Sequence, residues 1–72
     1  MPMDLLAVIE RNMSGFSKGQ KLIGKFITQH YDKAAFMTAA KLGDTVGVSE
    51  STVVRFATEV GFEGYPQLQK NL

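Results

Sequence analysis

The sequence predicts a single all-α domain, a compact bundle of about five short helices. Apolar residues recur at spacings of three and four in several segments, which is the period of an amphipathic helix. Glycine, serine and threonine stand where those segments begin and end, and no segment alternates in the manner of a strand. The 72 residues suffice for one domain with a small core, and a hydrophobic share of 44% argues against a disordered chain.

The first helix is predicted from Asp4 to about Met13. It has more apolar surface than one stripe against its own core requires. The residues that make up this surplus are Leu5, Leu6, Val8 and Ile9. Two interpretations are open: all four fill the core of the domain, or part of this surface pairs with a second copy of the chain.

The second helix is predicted to begin with a capping box formed by Ser17 and Gln20. Its core stripe is predicted from four apolar residues at helical spacing, Leu22, Ile23, Phe26 and Ile27. Gly24 lies inside this helix, where glycine costs roughly 1 kcal/mol relative to alanine. We therefore expect a close backbone neighbour at Gly24.

The second helix is followed by a predicted break from His30 to Lys33 and a short helical or turn segment from Ala34 to Met37. Thr38 is then predicted to cap the next helix. His30 is the only histidine, and no carboxylate pair surrounds it at ligand spacing. We interpret it as a helix-end residue rather than as a metal ligand or a base.

Two helices joined by a tight turn are predicted within the stretch TAAKLGDTVGVSESTVVRFATEVGF. Leu42 and Val46 share one face of the first helix, and Gly43 is small enough to let another helix come close. Gly47 can adopt the left-handed conformation that ends a helix. Ser49 is a strong N-cap for the helix that follows.

The second helix of this pair is predicted from about Glu50 to Val60. Its buried stripe is formed by Val53, Phe56, Ala57 and Val60, which recur at helical spacing. Gly61 ends the helix, and Phe62 folds back over its end. A helix, a short turn with glycine and a second helix form the helix-turn-helix arrangement, here in a homeodomain-like bundle. A last helix is predicted from Pro66 to Leu72, where the chain end cuts it, so we expect residues 1–72 to be one domain of a longer protein.

The outward face of the second helix has the chemistry of a DNA-contacting surface. An arginine can bind guanine with two hydrogen bonds, hydroxyls can bond bases or phosphates, and a valine can contact a thymine methyl group. The residues predicted to contact bases are Glu50, Ser51, Thr52, Val54, Arg55 and Thr58. An ordinary solvated helix with one arginine is the alternative.

Lysines elsewhere in the chain are the candidates for contact with the phosphate backbone. Three of them lie three and four residues apart on one face of the second predicted helix. The residues predicted to contact phosphates are Lys18, Lys21, Lys25, Lys41 and the N-cap Ser49. The net charge is only +1, so we expect one copy to bind DNA weakly and two copies to bind together.

The sequence contains no combination of residues that predicts catalysis or a cofactor. There is no cysteine, hence no disulfide or thiolate metal site, which suits a reducing cytoplasm. The serines stand at caps and turns, and the glycines match no phosphate-binding loop. No apolar run approaches the roughly 20 residues of a membrane span. We therefore predict a non-enzyme that needs no cofactor or metal and does not enter a membrane.

The chain resembles the N-terminal domain of RpiR-type transcription regulators, with the densest match from Leu42 to Tyr65. The matching elements are Ser17 with Leu22–Ile23, Leu42–Gly43, Gly47–Val48–Ser49, Thr52–Val53, Arg55–Phe56, Gly61–Phe62 and Gly64–Tyr65. Gly43 departs from the alanine that is usual in the family, and Pro66 from the usual serine or threonine cap. Proline does suit the first turn of a helix.

The resemblance implies a bacterial, cytoplasmic repressor or activator of sugar-phosphate metabolism. It implies a double-stranded DNA operator, a homodimer, and a sugar-phosphate effector bound by a C-terminal domain that this chain lacks. The alternative is a helical interaction or dimerisation module with no direct DNA contact, which the low net charge favours. An enzyme fragment is a third and weaker interpretation, because no catalytic set is present.

Overall fold

The computed structural model describes residues 5–72, which form six α-helices and a short 3-10 turn. The helices are α1 (Leu5–Asn12), α2 (Lys18–Gln29), α3 (Tyr31–Ala34), α4 (Ala39–Val46), α5 (Glu50–Glu59) and α6 (Tyr65–Gln69), with the 3-10 turn at Met13–Gly15. None of the residues in this range forms a strand. The all-α prediction is confirmed, with one helix more than expected.

The core lies at the centre of the bundle and receives side chains from every helix. Phe56 of α5 is fully buried, and its ring centre lies 5.1 Å from that of Phe16, with the two planes tilted by 57°. The other fully buried large side chains are Ile9, Ile23, Ile27, Leu42, Val53 and Leu68. A tilted aromatic pair of this kind adds attraction beyond the burial of its area.

The helix starts confirm the predicted caps. The Ser17 backbone N–H donates to Gln20 Oε1 at 2.9 Å, and the Gln20 N–H donates to Ser17 Oγ at 3.3 Å, which completes the capping box of α2. Thr38 Oγ1 accepts the Lys41 N–H at 3.1 Å at the start of α4. These bonds satisfy N–H groups that have no partner within their own helix.

The buried stripe of α2 differs from the prediction at Leu22. Ile23 and Ile27 are fully buried and Phe26 is half-buried, whereas Leu22 is 43% exposed. Leu22 is about 100° around the helix from Ile23, and this turns it away from the core. At Gly24 a Cβ would lie 3.1 Å from both Ile9 Cγ2 and Met13 Cε, so the close neighbour is a pair of side chains rather than a backbone.

Two predicted segments lie elsewhere in the structure. The short helix α3 is Tyr31–Ala34, inside the predicted break, because the His30 carbonyl accepts the N–H groups of Lys33 and Ala34 and restarts the helix at once. The last helix begins at Tyr65, with Pro66 in its first turn, and ends at Gln69. It therefore ends before the chain does.

The expected surplus of apolar surface on α1 is smaller than the sequence suggests. Leu5 and Ile9 are 3% and 0% exposed, so both belong to the core. Leu6 and Val8 are half-buried and pack against that core. Asp4, the predicted start of the helix, is outside the described residues.

Side chains of α6 form hydrogen bonds that the sequence did not indicate. The buried Tyr65 hydroxyl donates to the Met37 carbonyl at 2.9 Å and shares its proton with the Ala34 carbonyl at 3.1 Å. Gln69 Nε2 donates to the carbonyls of Ala35 at 2.9 Å and Met37 at 3.0 Å. We call these four bonds the α6 clamp. They span 28 to 34 residues of sequence, whereas the other side-chain hydrogen bonds between described residues span four at most.

The burial of Tyr65 predicts how stability depends on pH. Burial raises the pKa of its phenol above the ordinary value of 10.0. The unfolded chain therefore releases this proton at lower pH than the folded chain. The stability that the protonated Tyr65 phenol contributes is complete below pH 10 and is lost as pH rises through the pKa of the folded state. Urea unfolding between pH 8 and pH 11 should show a steeper loss of stability in the wild type than in Tyr65→Phe. Tyr31→Phe, at a side chain that is 53% exposed, should follow the wild type. Equal pH slopes in wild type and Tyr65→Phe would contradict the prediction.

Candidate nucleic-acid interface

The helices α4 and α5 meet at a turn held by backbone hydrogen bonds. Gly47 has φ of 83°, the left-handed conformation that glycine adopts without a steric cost. The N–H groups of Gly47 and Val48 both donate to the Gly43 carbonyl at 2.8 Å. This pattern ends α4 and reverses the chain into α5.

Gly43 lets the backbone of the turn approach α4 closely. A Cβ at this position would lie 2.7 Å from the Val48 carbonyl oxygen and 3.3 Å from the Ser49 carbonyl carbon. Real Cβ atoms do not approach backbone oxygen so closely. A close approach at Gly43 was predicted, but the neighbour is the backbone of the turn rather than another helix, and an alanine, usual in the family at this position, would require the turn to shift.

The start of α5 is held by a cluster of hydroxyl groups. Ser49 Oγ accepts the Thr52 N–H at 3.2 Å, as an N-cap does. The same oxygen lies 3.0 Å from Ser51 Oγ and 2.9 Å from Thr52 Oγ1. Ser49 was predicted to contact a phosphate, and its side chain already has this local role.

The inner face of α5 is the predicted one. Val53, Phe56 and Ala57 are fully buried, and Val60 is 5% exposed. The helix ends through Gly61, where φ is 103°, and the N–H of the following Phe62 donates to the Ala57 carbonyl at 3.0 Å. Because one face of α5 is buried in the core, its opposite face is fixed toward solvent.

The outer face of α5 exposes five of the six predicted base-contacting residues. Glu50, Ser51, Arg55 and Thr58 are exposed, and Val54 is 40% exposed. The Thr58 hydroxyl donates to the Arg55 carbonyl at 2.8 Å. Within residues 5–72, the Arg55 guanidinium has neither an ion pair nor a hydrogen bond, so all its donors can reach a ligand.

Thr52 has a different environment from the other five. It is half-buried, and its methyl carbon would lie 3.2 Å from a Cβ at Gly19 of α2. The Val48 side chain lies nearby, 3.4 Å from the same point. This position favours a role in packing α5 against α2. The base contact predicted for Thr52 stays a prediction.

The lysines predicted to contact phosphates are all exposed, and three of them lie on α2. Lys18, Lys21 and Lys25 are the only charged residues of this helix. We call these three residues the lysine row; it starts next to Gly19, where α2 meets α5. Since α2 carries +3 and the whole chain +1, the remaining residues carry −2 together. Lys41 lies on a different helix, in the first turn of α4.

The contact between Gly19 and Thr52 and the α6 clamp were not predicted from the sequence. Gly19 had a signal, since a glycine in the first turn of a helix often marks a close approach. The clamp had no such signal, because the residues near Tyr65 and Gln69 in the sequence do not indicate which carbonyl groups accept their hydrogen bonds.

Among residues 5–72, none of the helices has the length and apolar character that a membrane span requires.

Comparison with known proteins agrees with this geometry. A family model described as the helix-turn-helix domain of the rpiR family matches residues 3–72. The chain belongs to the rpiR family. The regulator sequences that it matches include HexR of Pseudomonas aeruginosa, an HTH-type transcriptional regulator that is 32% identical over 69 residues. The uncharacterized HTH-type transcriptional regulator YfhH of Escherichia coli is 30% identical over 67 residues.

Two solved structures share the fold. The Vibrio vulnificus NanR protein, complexed with ManNAc-6P, has a TM-score of 0.88 and 30% identity, with 92% of this chain and 25% of NanR covered. The N-terminal domain of ybbH from Bacillus subtilis has a TM-score of 0.86 and 21% identity, with 92% and 80% covered, which shows the fold alone. The matches to HexR and YfhH cover 96% and 93% of this chain and 24% of each relative. The chain thus spans about a quarter of these curated relatives, whose names describe them as HTH-type transcriptional regulators.

The close approach at Gly43 can be tested with alanine. In an open helix Gly→Ala stabilises by about 1 kcal/mol, but overpacking against a backbone oxygen costs about 1–3 kcal/mol. We expect Gly43→Ala to lower the melting temperature. Gly15→Ala is the matched control, because a Cβ there meets nothing within 4 Å. A higher melting temperature for Gly43→Ala would show that the turn has room to relax.

Proposed function

We propose that this rpiR-family domain binds double-stranded DNA sequence-specifically through the outer face of α5. The observation that carries the proposal is Arg55, which has no partner among residues 5–72 and is exposed on a helix whose opposite face is buried in the core. An arginine in this position can bind O6 and N7 of guanine in the major groove. Ser51, Val54 and Thr58 surround it with groups that suit base edges and thymine methyl groups.

The phosphate backbone is contacted by the lysine row of α2 and by Lys41. These lysines supply the non-specific part of the affinity, which depends on salt because bound counterions are released. The first turn of α5 has N–H groups without carbonyl partners inside the helix, and these suit a phosphate oxygen. The side chain of Ser49 keeps its capping role.

The regulated pathway is sugar-phosphate metabolism, and the effector binds outside this chain. Two observations support this part of the proposal. The NanR structure contains ManNAc-6P, and the chain covers only a quarter of NanR. The full regulator would act in the bacterial cytoplasm, where its operator lies.

Arg55 and the lysines should differ in their effect on DNA binding. A duplex selected from a random-sequence pool and a scrambled duplex serve as probes, and fluorescence anisotropy gives both affinities across a salt series. Arg55→Ala should weaken the selected duplex by about 1–3 kcal/mol and reduce the preference for it. Lys25→Gln should weaken both duplexes alike and lower the salt slope by about 1.

Lys70→Gln is the control, since Lys70 is exposed outside the proposed interface. Equal losses on both duplexes for Arg55→Ala would make Arg55 a phosphate contact. If the wild type shows no salt-dependent binding to either duplex, the domain is an interaction module instead, as its near-neutral charge would allow.

Two copies of the chain bind one operator in this proposal, because one copy contributes few phosphate contacts. Helix-turn-helix dimers place two recognition helices about one turn of DNA apart. The half-buried Leu6 and Val8 of α1 are the candidate pairing surface, whereas Leu5 and Ile9 belong to the core.

Sedimentation of the chain over a range of concentrations tests the pairing surface. Val8→Glu should stay folded and lose self-association, with Leu6→Glu as a second variant. Leu22→Glu on α2, an equally drastic change at a 43% exposed position, should still associate. Leu5→Glu should unfold the chain, because it places a charge in the core. A wild type that stays monomeric at high concentration would rule out pairing through α1.

A further inference from the structure

The last helix, α6, packs against α5 and reaches the segment before α4 through the α6 clamp. Leu68 of α6 is fully buried, and α6 packs against α5. The polar side of α6 faces the segment that leads into α4, where Tyr65 and Gln69 donate to the carbonyls of residues 34, 35 and 37. One short helix therefore touches α5 and the approach to α4 at the same time.

The Met37 carbonyl is the central acceptor of the clamp. It accepts hydrogen bonds from the Tyr65 hydroxyl at 2.9 Å and from Gln69 Nε2 at 3.0 Å. The next residue, Thr38, is the N-cap of α4, and its carbonyl accepts the Leu42 N–H at 2.9 Å. A single peptide unit thus links the clamp to the start of α4.

The helix α4 consequently has an anchor near each end. Its C-terminal end is held to the turn through Gly43, whose carbonyl accepts two N–H groups. Its N-terminal end is held by the α6 clamp through Met37. Leu42 also holds α4 in the core, so the clamp adds a hydrogen-bonded restraint on the start of α4 to the packing that the core already provides.

We propose that Tyr65 and Gln69 are positioning residues for the DNA interface, which hold the start of α4 in place relative to α5. The proposal rests on the proposed DNA binding. A sequence-specific contact requires its side chains to be held within a fraction of an ångström by supporting residues. When only part of the population has the competent arrangement, the apparent affinity falls by that fraction.

The test compares two clamp variants with two matched controls. Tyr65→Phe removes one hydroxyl and keeps the ring, and Gln69→Met removes the amide at similar length. Tyr31→Phe and Gln67→Met make the same changes at exposed positions, the second on α6 itself. Circular dichroism fixes a temperature at which every variant is folded. Anisotropy with the selected and scrambled duplexes and amide hydrogen exchange in the free chain are then measured.

Each clamp variant should bind the selected duplex about 3- to 10-fold more weakly, as the loss of one net hydrogen bond allows. Binding to the scrambled duplex should change less than binding to the selected duplex, because it makes no base-specific contacts and loses at most the phosphate contact proposed for Lys41, whereas a mere loss of stability would weaken both alike. The loss should shrink in an Arg55→Ala background, because a misplaced α5 acts through its base contacts. Amides at the start of α4, near Thr38 to Leu42, should exchange faster, and both controls should match the wild type.

Affinities equal to the wild type in both clamp variants would overturn the proposal, as would faster exchange confined to α6. If Tyr65→Phe does not fold, the duplex affinities and hydrogen exchange of Gln69→Met alone test the proposal. A wild type with no preference for the selected duplex overturns the DNA-binding function and this positioning role with it. The exchange data would then separately show whether the clamp holds α4.

Discussion

The close approach of the turn to α4 at Gly43 is the constraint on which the rest of the domain depends. The Val48 carbonyl oxygen lies 2.7 Å from the position that a Cβ at Gly43 would occupy. Because the turn can sit against α4, Ser49 caps α5 in the right direction and Phe56 enters the core. Because this face of α5 is buried, its opposite face is exposed to solvent. A displacement at Gly43 would therefore change the direction of Arg55, although the two residues lie on different helices.

The net positive charge of this molecule and the outer face of α5 lie on different helices. The net positive charge lies on α2, which has three lysines and no acidic residue, while α5 carries Glu50 and Glu59 against one arginine. In the proposed function, affinity through phosphates and discrimination through base edges therefore belong to different helices. Since the chain as a whole is nearly neutral, we propose that one copy makes a small phosphate contribution and that two copies pair on an operator.

Features that depend on nearby residues were predictable from the sequence. The capping box at Ser17, the left-handed Gly47 and the buried stripe of α5 each follow from residues within one or two helical turns. The outer face of α5 followed as the complement of that stripe. Features that depend on distant partners were not predictable. The apolar pattern includes Leu22, but only the placement of α1 and α5 decides which side of α2 is buried. The same holds for Thr52, whose neighbour Gly19 belongs to another helix, and for Tyr65, whose acceptors lie 28 and 31 residues away.

The two faces of α5 have a consequence for how such domains diverge. Its inward residues are held by core packing, whereas Glu50, Ser51, Arg55 and Thr58 are exposed. Substitutions on the outward face therefore cost less stability than substitutions in the core. The match to NanR, with 30% identity and a TM-score of 0.88, shows that the scaffold tolerates many substitutions. Paralogues of one genome could thus acquire separate operators by altering a handful of solvent-facing positions, while the scaffold that presents them stays unchanged.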